Sequence, residues 1–483
     1  MAVPGGIYFF CPLFCGSAPA CHIYPIPVRR QQMSTYLQEV IESVKKNNPG
    51  EPEFYQAAEE VLLSLEPLLK RDSKYQQHSV LERLVEPERQ VTFRVAWIDD
   101  AGKVQVNRGY RVQYNSAIGP YKGGFRFHPS VYSGIIKFLG FEQIFKNSLT
   151  GLAIGGGKGG SNFNPKGKSN NEIMRFCQAF MTEMHKYLGP TIDVPAGDIG
   201  VGARELGFMY GQYKRLTASH CGVLTGKGVT WGGSLARKEA TGYGSVYFAE
   251  DMMTERGTSL LGKTCAVSGS GNVAIYTVEK LHQLGAKAVT VSDSTGMIYH
   301  KQGINLEVLQ QVKEVEGARL TRYAELCPEA EYTPVEKYAK GRNLVWSVPC
   351  QAAFPSATQN ELNLEDAKEL LKNGCLCISE GANMPSTPDA VEAFLAAGIC
   401  YGPAKCANAG GVATSQLEMA QNASMQQWTF DEVDGKLKNI MHNIFTNAST
   451  TAKEFGATHN LVMGGNIAAF RKVADNMIAL GAY

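Results

Sequence analysis

The sequence predicts an α/β chain of two domains, the second of them a Rossmann-like dinucleotide-binding fold. Three observations carry the prediction. At 483 residues the chain is too long for one ordinary domain and suits two. Its hydrophobic period changes from helical to alternating within the first quarter. A strand–glycine turn–helix–strand–acid pattern then appears at residues 264 to 293.

The first 32 residues stand apart. They hold no Asp or Glu, three cysteines and several prolines, and Arg29 and Arg30 supply their only formal charge. We expect an unstructured extension over 1–32, with an organellar transit peptide as the alternative. The folded chain is expected to start at Met33. From there Leu37, Val40, Ile41 and Val44 recur on one helical face, and "QAAEEVLLSLEPLLK" continues in kind. Val91, Phe93, Val95 and Trp97 then alternate, "DDAG" turns the chain, and alternation resumes through Val104, Val106, Tyr110, Val112 and Tyr114. That is a strand hairpin or meander. A helix follows at about 133 to 147, and the first domain is expected over 33–232.

The second domain opens with "TCAVSGSGNVAIYTVEKLHQLGAKAVTVSD". Gly269, Gly271 and Ala274 hold the G-x-G-x-x-G/A positions and Asp293 closes the next strand. Gly269 permits the tight turn, Gly271 lets a pyrophosphate approach the backbone, and Ala274 allows close helix–strand packing. The helix N-terminus offers amides to the phosphates. An ordinary βα turn without a ligand is the simpler alternative.

Composition excludes other classes. A formal charge of +2 gives no electrostatic reason to expect nucleic acid. No apolar run reaches the roughly 18 residues that span a bilayer, so no membrane role is expected. The twelve cysteines form no CxxC pair and HExxH is absent. No metal site is therefore expected, and reduced thiols point to a cytoplasmic protein.

The most unusual stretch is "GLAIGGGKGGSNFNP", residues 151 to 165, with six glycines and one lysine. It is not a nucleotide-triphosphate loop. Leu152 stands where the first glycine is required, and Gly159 follows the lysine instead of Ser or Thr. Lys122 in "GPYKGGFRFHP" and Lys146 in "FEQIFKNSLT" lie in related settings, as does Asp198 in "DVPAGDIGVGARE". Taken singly, each lysine is most simply a solvated surface charge. Together they suggest a site for a small dianion, where mutual repulsion and burial lower a lysine pKa far enough for it to act as a base.

Those motifs, with "EATGYG", "EGANMPST" and "NAGGVATSQLEMAQN", resemble the hexameric glutamate dehydrogenases of the short-subunit type, from about Met33 to the C-terminus. The resemblance implies a substrate and oligomerisation domain over 33–232 and a dinucleotide domain over 233–458. Residues 459–483 would return to the first domain, and an active-site cleft would separate the two. It implies reversible oxidative deamination of L-glutamate to 2-oxoglutarate and ammonium by a homohexamer. Lys158 would be the base and Asp198 the proton shuttle. Gln143 and Lys146 would hold the α-carboxylate, Lys122 and Ser415 the distal one.

On the cofactor side the resemblance implies Arg237, Thr241, Gly269, Gly271, Asn272, Val273, Asn383 and Asn408. Asp293 alone suggests NAD, through the ribose 2′-hydroxyl. Its flanks Ser292 and Ser294, with Arg319 and Arg322, are similar to the NADP-using members and make NADP the expected cofactor, NAD the alternative. Departures from the family pattern are Ile154, Asn162, Asn164, Lys238 and Gln416, the last directly after Ser415. An amino-acid dehydrogenase with an apolar substrate and a non-catalytic nucleotide-binding protein are the rival readings. Lys122 with Ser415 opposes the first, and retention of Lys158 and Asp198 opposes the second.

Overall fold

A computed structural model describes residues 34–482, so the extension expected over 1–32 and the start at Met33 lie outside the described residues. The helices come first, as the periodicity predicts. Thr35–Asn47, capped by the Ser34 hydroxyl, buries Leu37, Val40, Ile41 and Val44, and Pro52–Ser64 follows it.

The hairpin is β1 (Arg89–Ile98) against β2 (Val104–Asn115), antiparallel. Asp99 closes its turn by accepting from the amides of Ala101 and Lys103. With β3 (Tyr121–Phe127), β4 (Gly156–Ser161) and β5 (Asp193–Gly197) it makes one sheet, ordered β1-β2-β4-β3-β5. β3 runs parallel to both β4 and β5, and β2 runs antiparallel to β4. The helix Ser133–Leu149 lies on this sheet.

The glycines of β4 follow from that packing. A Cβ on Gly156 would stand 2.6 Å from Ile144 of the helix, and one on Gly159 would stand 2.8 Å from the Phe125 ring. Neither distance is sterically tolerable, so the strand is stripped of side chains where helix and sheet close on it. Lys158 is its one long side chain. Under the same sheet, Arg111 and Asp193 form a fully buried ion pair tying β2 to β5, and Arg111 Nη1 also donates to Gly123 O at 2.9 Å. Breaking such a pair costs about 3–5 kcal/mol, so it fixes the strands that carry the site.

The second sheet is wholly parallel, ordered β13-β12-β11-β6-β7. It comprises β6 (Thr264–Val267), β7 (Lys287–Ala288), β11 (Ala352–Phe354), β12 (Cys377–Ser379) and β13 (Cys400–Gly402). The glycine turn leads from β6 into the helix Asn272–Gln283 and so to β7, as predicted. One detail differs. The single strand expected to end at Asp293 is two, because β8 (Thr290–Asp293) joins an antiparallel sheet with β9 (Gly296–Tyr299) and β10 (Glu331–Pro334). The cause is Thr290, whose hydroxyl accepts from Val267 N and donates to Val267 O, replacing the ladder bonds of β6.

The C-terminal helix Leu461–Ala479 lies against the N-terminal half. Ala469 O accepts from the Ser148 hydroxyl at 2.9 Å, and Met477 O from Arg83 at 3.3 Å. Among the described residues no helix is long and apolar enough to cross a membrane. None of their His, Cys, Asp and Glu side chains gather in the threes that hold a metal ion.

Candidate active site

β4 delivers Lys158, and the turn after β5 delivers Asp198. Lys158 Nζ lies 2.8 Å from Asp198 Oδ2, and Arg126 Nε reaches the same oxygen at 3.0 Å. The Lys158 side chain is only 8% exposed. Burial pushes its pKa down from the ordinary lysine range; Asp198 opposes that shift, and the guanidinium of Arg126 adds to it. Burial by itself would raise the Asp198 carboxyl, but Lys158 and Arg126 hold it at about 2. Lys146, on the helix Ser133–Leu149, is lowered to about 8 by burial and by the nearby charge of Lys158. An ammonium that gives up its proton readily therefore sits beside a carboxylate held ionised, with the charge of Lys146 acting nearby.

Gln143 packs over β3, its Cγ 3.3 Å from where a Cβ on Gly123 would stand, and donates to Asn147 at 2.6 Å. Lys122 is buried on β3. Its ammonium donates to Val194 O at 2.9 Å and to the Thr225 hydroxyl at 2.7 Å, which leaves one N–H uncommitted. Burial pushes its pKa well down, with Glu418 acting against this and Arg237 with it. Ser415 belongs to the helix Gly410–Ser424, where Arg237 Nε donates to its hydroxyl at 3.0 Å. Thr241 meets the start of that helix at Gly411, where a Cβ would fall 2.6 Å from its Oγ1.

In the second half, Gly269 takes φ +83° and donates its N–H to Ser292 at 2.8 Å. A Cβ there would be strained by its φ and would also press on Ser356 O. Gly271 caps the helix that begins with Asn272 and Val273. No side chain fills the cap, and the space where a Gly271 Cβ would point is open to 4 Å. Asn408 donates to Ala382 O and to Asn383 Oδ1, while its own Oδ1 is buried without a partner. An uncapped helix start and an orphaned amide oxygen fit a dinucleotide, whose phosphates and carboxamide would satisfy them.

Asp293 accepts from Thr295 N and Oγ1 and from Leu320 N, so it organises its turn and has little capacity left for a ribose hydroxyl. Arg319 Nη1 donates to Ser294 Oγ at 2.9 Å. Arg322 does not join it, being paired with Glu316 and Glu325. Lys313 Nζ, 3.9 Å from Asp293, takes the second basic position beside the turn.

Sequence reasoning missed Arg126, Thr225, Lys227, Glu418 and Lys313. Strand alternation puts Arg126 on the same face as Lys122, and helical spacing puts Glu418 one turn from Ser415. Glu418 is fully buried; it accepts from Lys227 Nζ at 2.7 Å and from Gly226 N at 2.9 Å. No pattern in the sequence marks Thr225, Lys227 or Lys313.

Glu380 is buried beneath the Asn408 segment. One oxygen accepts from Ala404 N at 2.8 Å and the other has no partner, and burial raises the carboxyl to about 7. A carboxyl raised on folding contributes stability that is complete below pH about 4.5 and is lost as pH rises through about 7. Glu380→Gln is expected to remove about 1–3 kcal/mol of that loss. Urea midpoints of wild type and variant should therefore diverge as pH rises from 4.5 to 8; parallel curves would contradict the assignment.

Comparison with known proteins gives one family throughout. A family model described as Glutamate/Leucine/Phenylalanine/Valine dehydrogenase matches residues 232–481, and one described as Glu/Leu/Phe/Val dehydrogenase, dimerisation domain, matches 87–215. The NADP-specific glutamate dehydrogenase of Helicobacter pylori (strain ATCC 700392 / 26695) is 63% identical over 446 residues, 92% of this chain and 100% of that protein. The NAD(P)-specific glutamate dehydrogenase of Xylanibacter ruminicola is 54% identical, over 92% and 99% of the two chains. Among solved structures, Plasmodium falciparum glutamate dehydrogenase matches with a TM-score of 0.90 at 53% identity, covering 93% of this chain and 95% of that one.

Proposed function

The chain belongs to the glutamate/leucine/phenylalanine/valine dehydrogenase family, and from that premise we propose how its side chains run the reaction. It is an NADP-dependent oxidoreductase that interconverts L-glutamate and water with 2-oxoglutarate and ammonium. NADP, when bound, accepts the hydride from C2 or returns it. Gln143 and Lys146 bind the α-carboxylate, and the free N–H of Lys122 with the Ser415 hydroxyl binds the distal carboxylate. That polar far end favours a diacid over an apolar side chain.

The observation that carries the reading is the Lys158–Asp198 contact of 2.8 Å in a desolvated pocket. In the deaminating direction Lys158 Nζ takes a proton from water as its oxygen adds to the imine carbon of C2. Asp198 accepts and returns the proton that moves as the carbinolamine collapses to ketone and ammonia. Arg126 keeps Asp198 ionised between these steps. We propose that the domains divide at about residue 232, and that the working form is a cytoplasmic homohexamer. The match of 87–215 to a dimerisation domain supports self-association.

The test is oxidation of NADPH or NADH by the full chain with 2-oxoglutarate and ammonium. Consumption must depend on all three components. Arg319→Ala is expected to raise KM for NADPH about 10- to 100-fold, the worth of a charge-assisted phosphate contact, and to leave KM for NADH unchanged. Arg322→Ala, already paired to two glutamates, should change either by less than about threefold. Equal losses with both cofactors would remove Arg319 from the 2′-phosphate site.

A further inference from the structure

Beside the site lies an ammonium that the reaction does not use. Lys405 belongs to the short helix Ala404–Ala407 that follows β13, three residues before Asn408. Its Nζ is shut off from solvent and makes no hydrogen bond. The nearest carboxylate oxygen, Glu142 Oε1, is 3.7 Å away, and the two side chains are 15% and 22% exposed. Glu60, from the helix Pro52–Ser64, is the other charge that acts on this ammonium.

That spacing is unusual for an ion pair so well shielded. A charge-assisted N–H···O bond closes to about 2.7–2.9 Å, and a desolvated ammonium without one is costly. Both partners sit next to working parts. Glu142 immediately precedes Gln143 and lies one turn before Lys146 on the helix Ser133–Leu149. Lys405 leads into Asn408, whose amide oxygen is unpartnered, and Ala404 N is anchored by Glu380. A move of about 1 Å that brought the two segments together would complete a hydrogen bond now missing.

We propose that Lys405 and Glu142 form a latch that tightens when the dinucleotide half closes on the substrate half, which makes Lys405 a positioning residue for the reaction described above. The inference rests on that reading. An interaction stronger in the closed arrangement than in the open one shifts the population toward closure, and Glu142 passes the shift to the helix that carries Gln143 and Lys146. Binding of NADPH alone does not require the latch: Asn408 shares the Lys405 segment, but the glycine turn, Ser294 and Arg319, which hold the phosphate end, lie on other segments.

The test uses the full chain and a double-mutant cycle. Lys405→Met and Glu142→Gln are each expected to lower kcat/KM for 2-oxoglutarate about tenfold, and the pair together by no more than either alone. Lys405→Arg should stay within about threefold of wild type. The Kd for NADPH without substrate should not move. Small-angle scattering should show compaction on adding 2-oxoglutarate to the NADPH complex of wild type and of Lys405→Arg, but not of Lys405→Met. Losses that multiply in the double variant, or an NADPH Kd that weakens in step with turnover, would overturn the latch. Should Lys405→Met fail to fold, Glu142→Gln with unchanged substrate-induced compaction would overturn it equally. Wild-type compaction without turnover would instead overturn the assignment of substrate.

Discussion

Replacing Lys158 with methionine is expected to lower kcat by at least about 10³-fold while the Kd for NADPH stays within about twofold of wild type. General acid–base catalysis contributes about 10²–10⁴, and in the proposed role the same side chain also positions the attacking water. Methionine keeps the length of the side chain along β4 and removes only the titrating group. Cofactor affinity is spared because the residues assigned to it are on the turn at Gly269, on the 292–294 segment and around Asn408. The pH dependence adds a second readout. The Lys158 pKa is depressed on folding, so the unprotonated form required of a base appears below the ordinary lysine range, and kcat for deamination should rise with pH through that point. Asp198→Asn removes the one strong influence holding this pKa up, so the residual activity of that variant should titrate at lower pH than wild type. Steady-state kinetics across pH 6–10, with NADPH affinity read by fluorescence, decides it. A Lys158→Met enzyme within tenfold of wild type, or an Asp198→Asn profile displaced to higher pH, would exclude Lys158 as the base.

Much of this site was legible because its residues stand in loops and strands poor in side chains. A lysine among six glycines announces that the chain around it is stripped for close approach, and the packing of β4 between Phe125 and Ile144 gives the reason. The glycine turn at 269 was legible for a similar reason, since its pattern is a backbone requirement written in residue types. What escaped reading depends on spatial meetings between distant segments. Thr225 and Lys227 lie in a loop without periodicity, yet they receive Lys122 and Glu418. Arg322 illustrates the reverse: resemblance to the NADP-using members suggested it beside Arg319, but Glu316 and Glu325 draw it away. The division of one expected strand into β7 and β8 was equally hidden, because Thr290 decides it by a side-chain bond to a strand over twenty residues earlier. Period and composition locate elements and glycine-rich sites; they do not report which side chain satisfies which buried partner.

Lys122→Leu is expected to reverse the choice between substrates. Lys122 is 1% exposed and its ammonium is held by Val194 O and Thr225, with the charges of Glu418 and Arg237 acting on it. Leucine occupies similar volume without charge, so it removes the proposed partner of the distal carboxylate and leaves an apolar wall. A carboxylate buried without its cation loses about 3–5 kcal/mol, which is about 10²–10⁴-fold in kcat/KM for 2-oxoglutarate. A five-carbon 2-oxo acid that ends in a methyl group, 2-oxopentanoate, suffers no such loss and gains apolar contact, so its kcat/KM should hold or rise. The Lys227–Glu418 pair at 2.7 Å remains intact in the variant, and the Thr225 hydroxyl and Val194 carbonyl lose a donor at about 1–3 kcal/mol of stability each. Part of that cost is offset because the variant no longer buries an ammonium. The ratio of the two kcat/KM values is the measurement, since folding losses cancel from it. Wild type should favour 2-oxoglutarate strongly and Lys122→Leu should bring the ratio to about one or below. A ratio unchanged while both activities fall together would mean that Lys122 supports the sheet and that the distal carboxylate is bound elsewhere, with Arg237 beside Ser415 the first residue to replace.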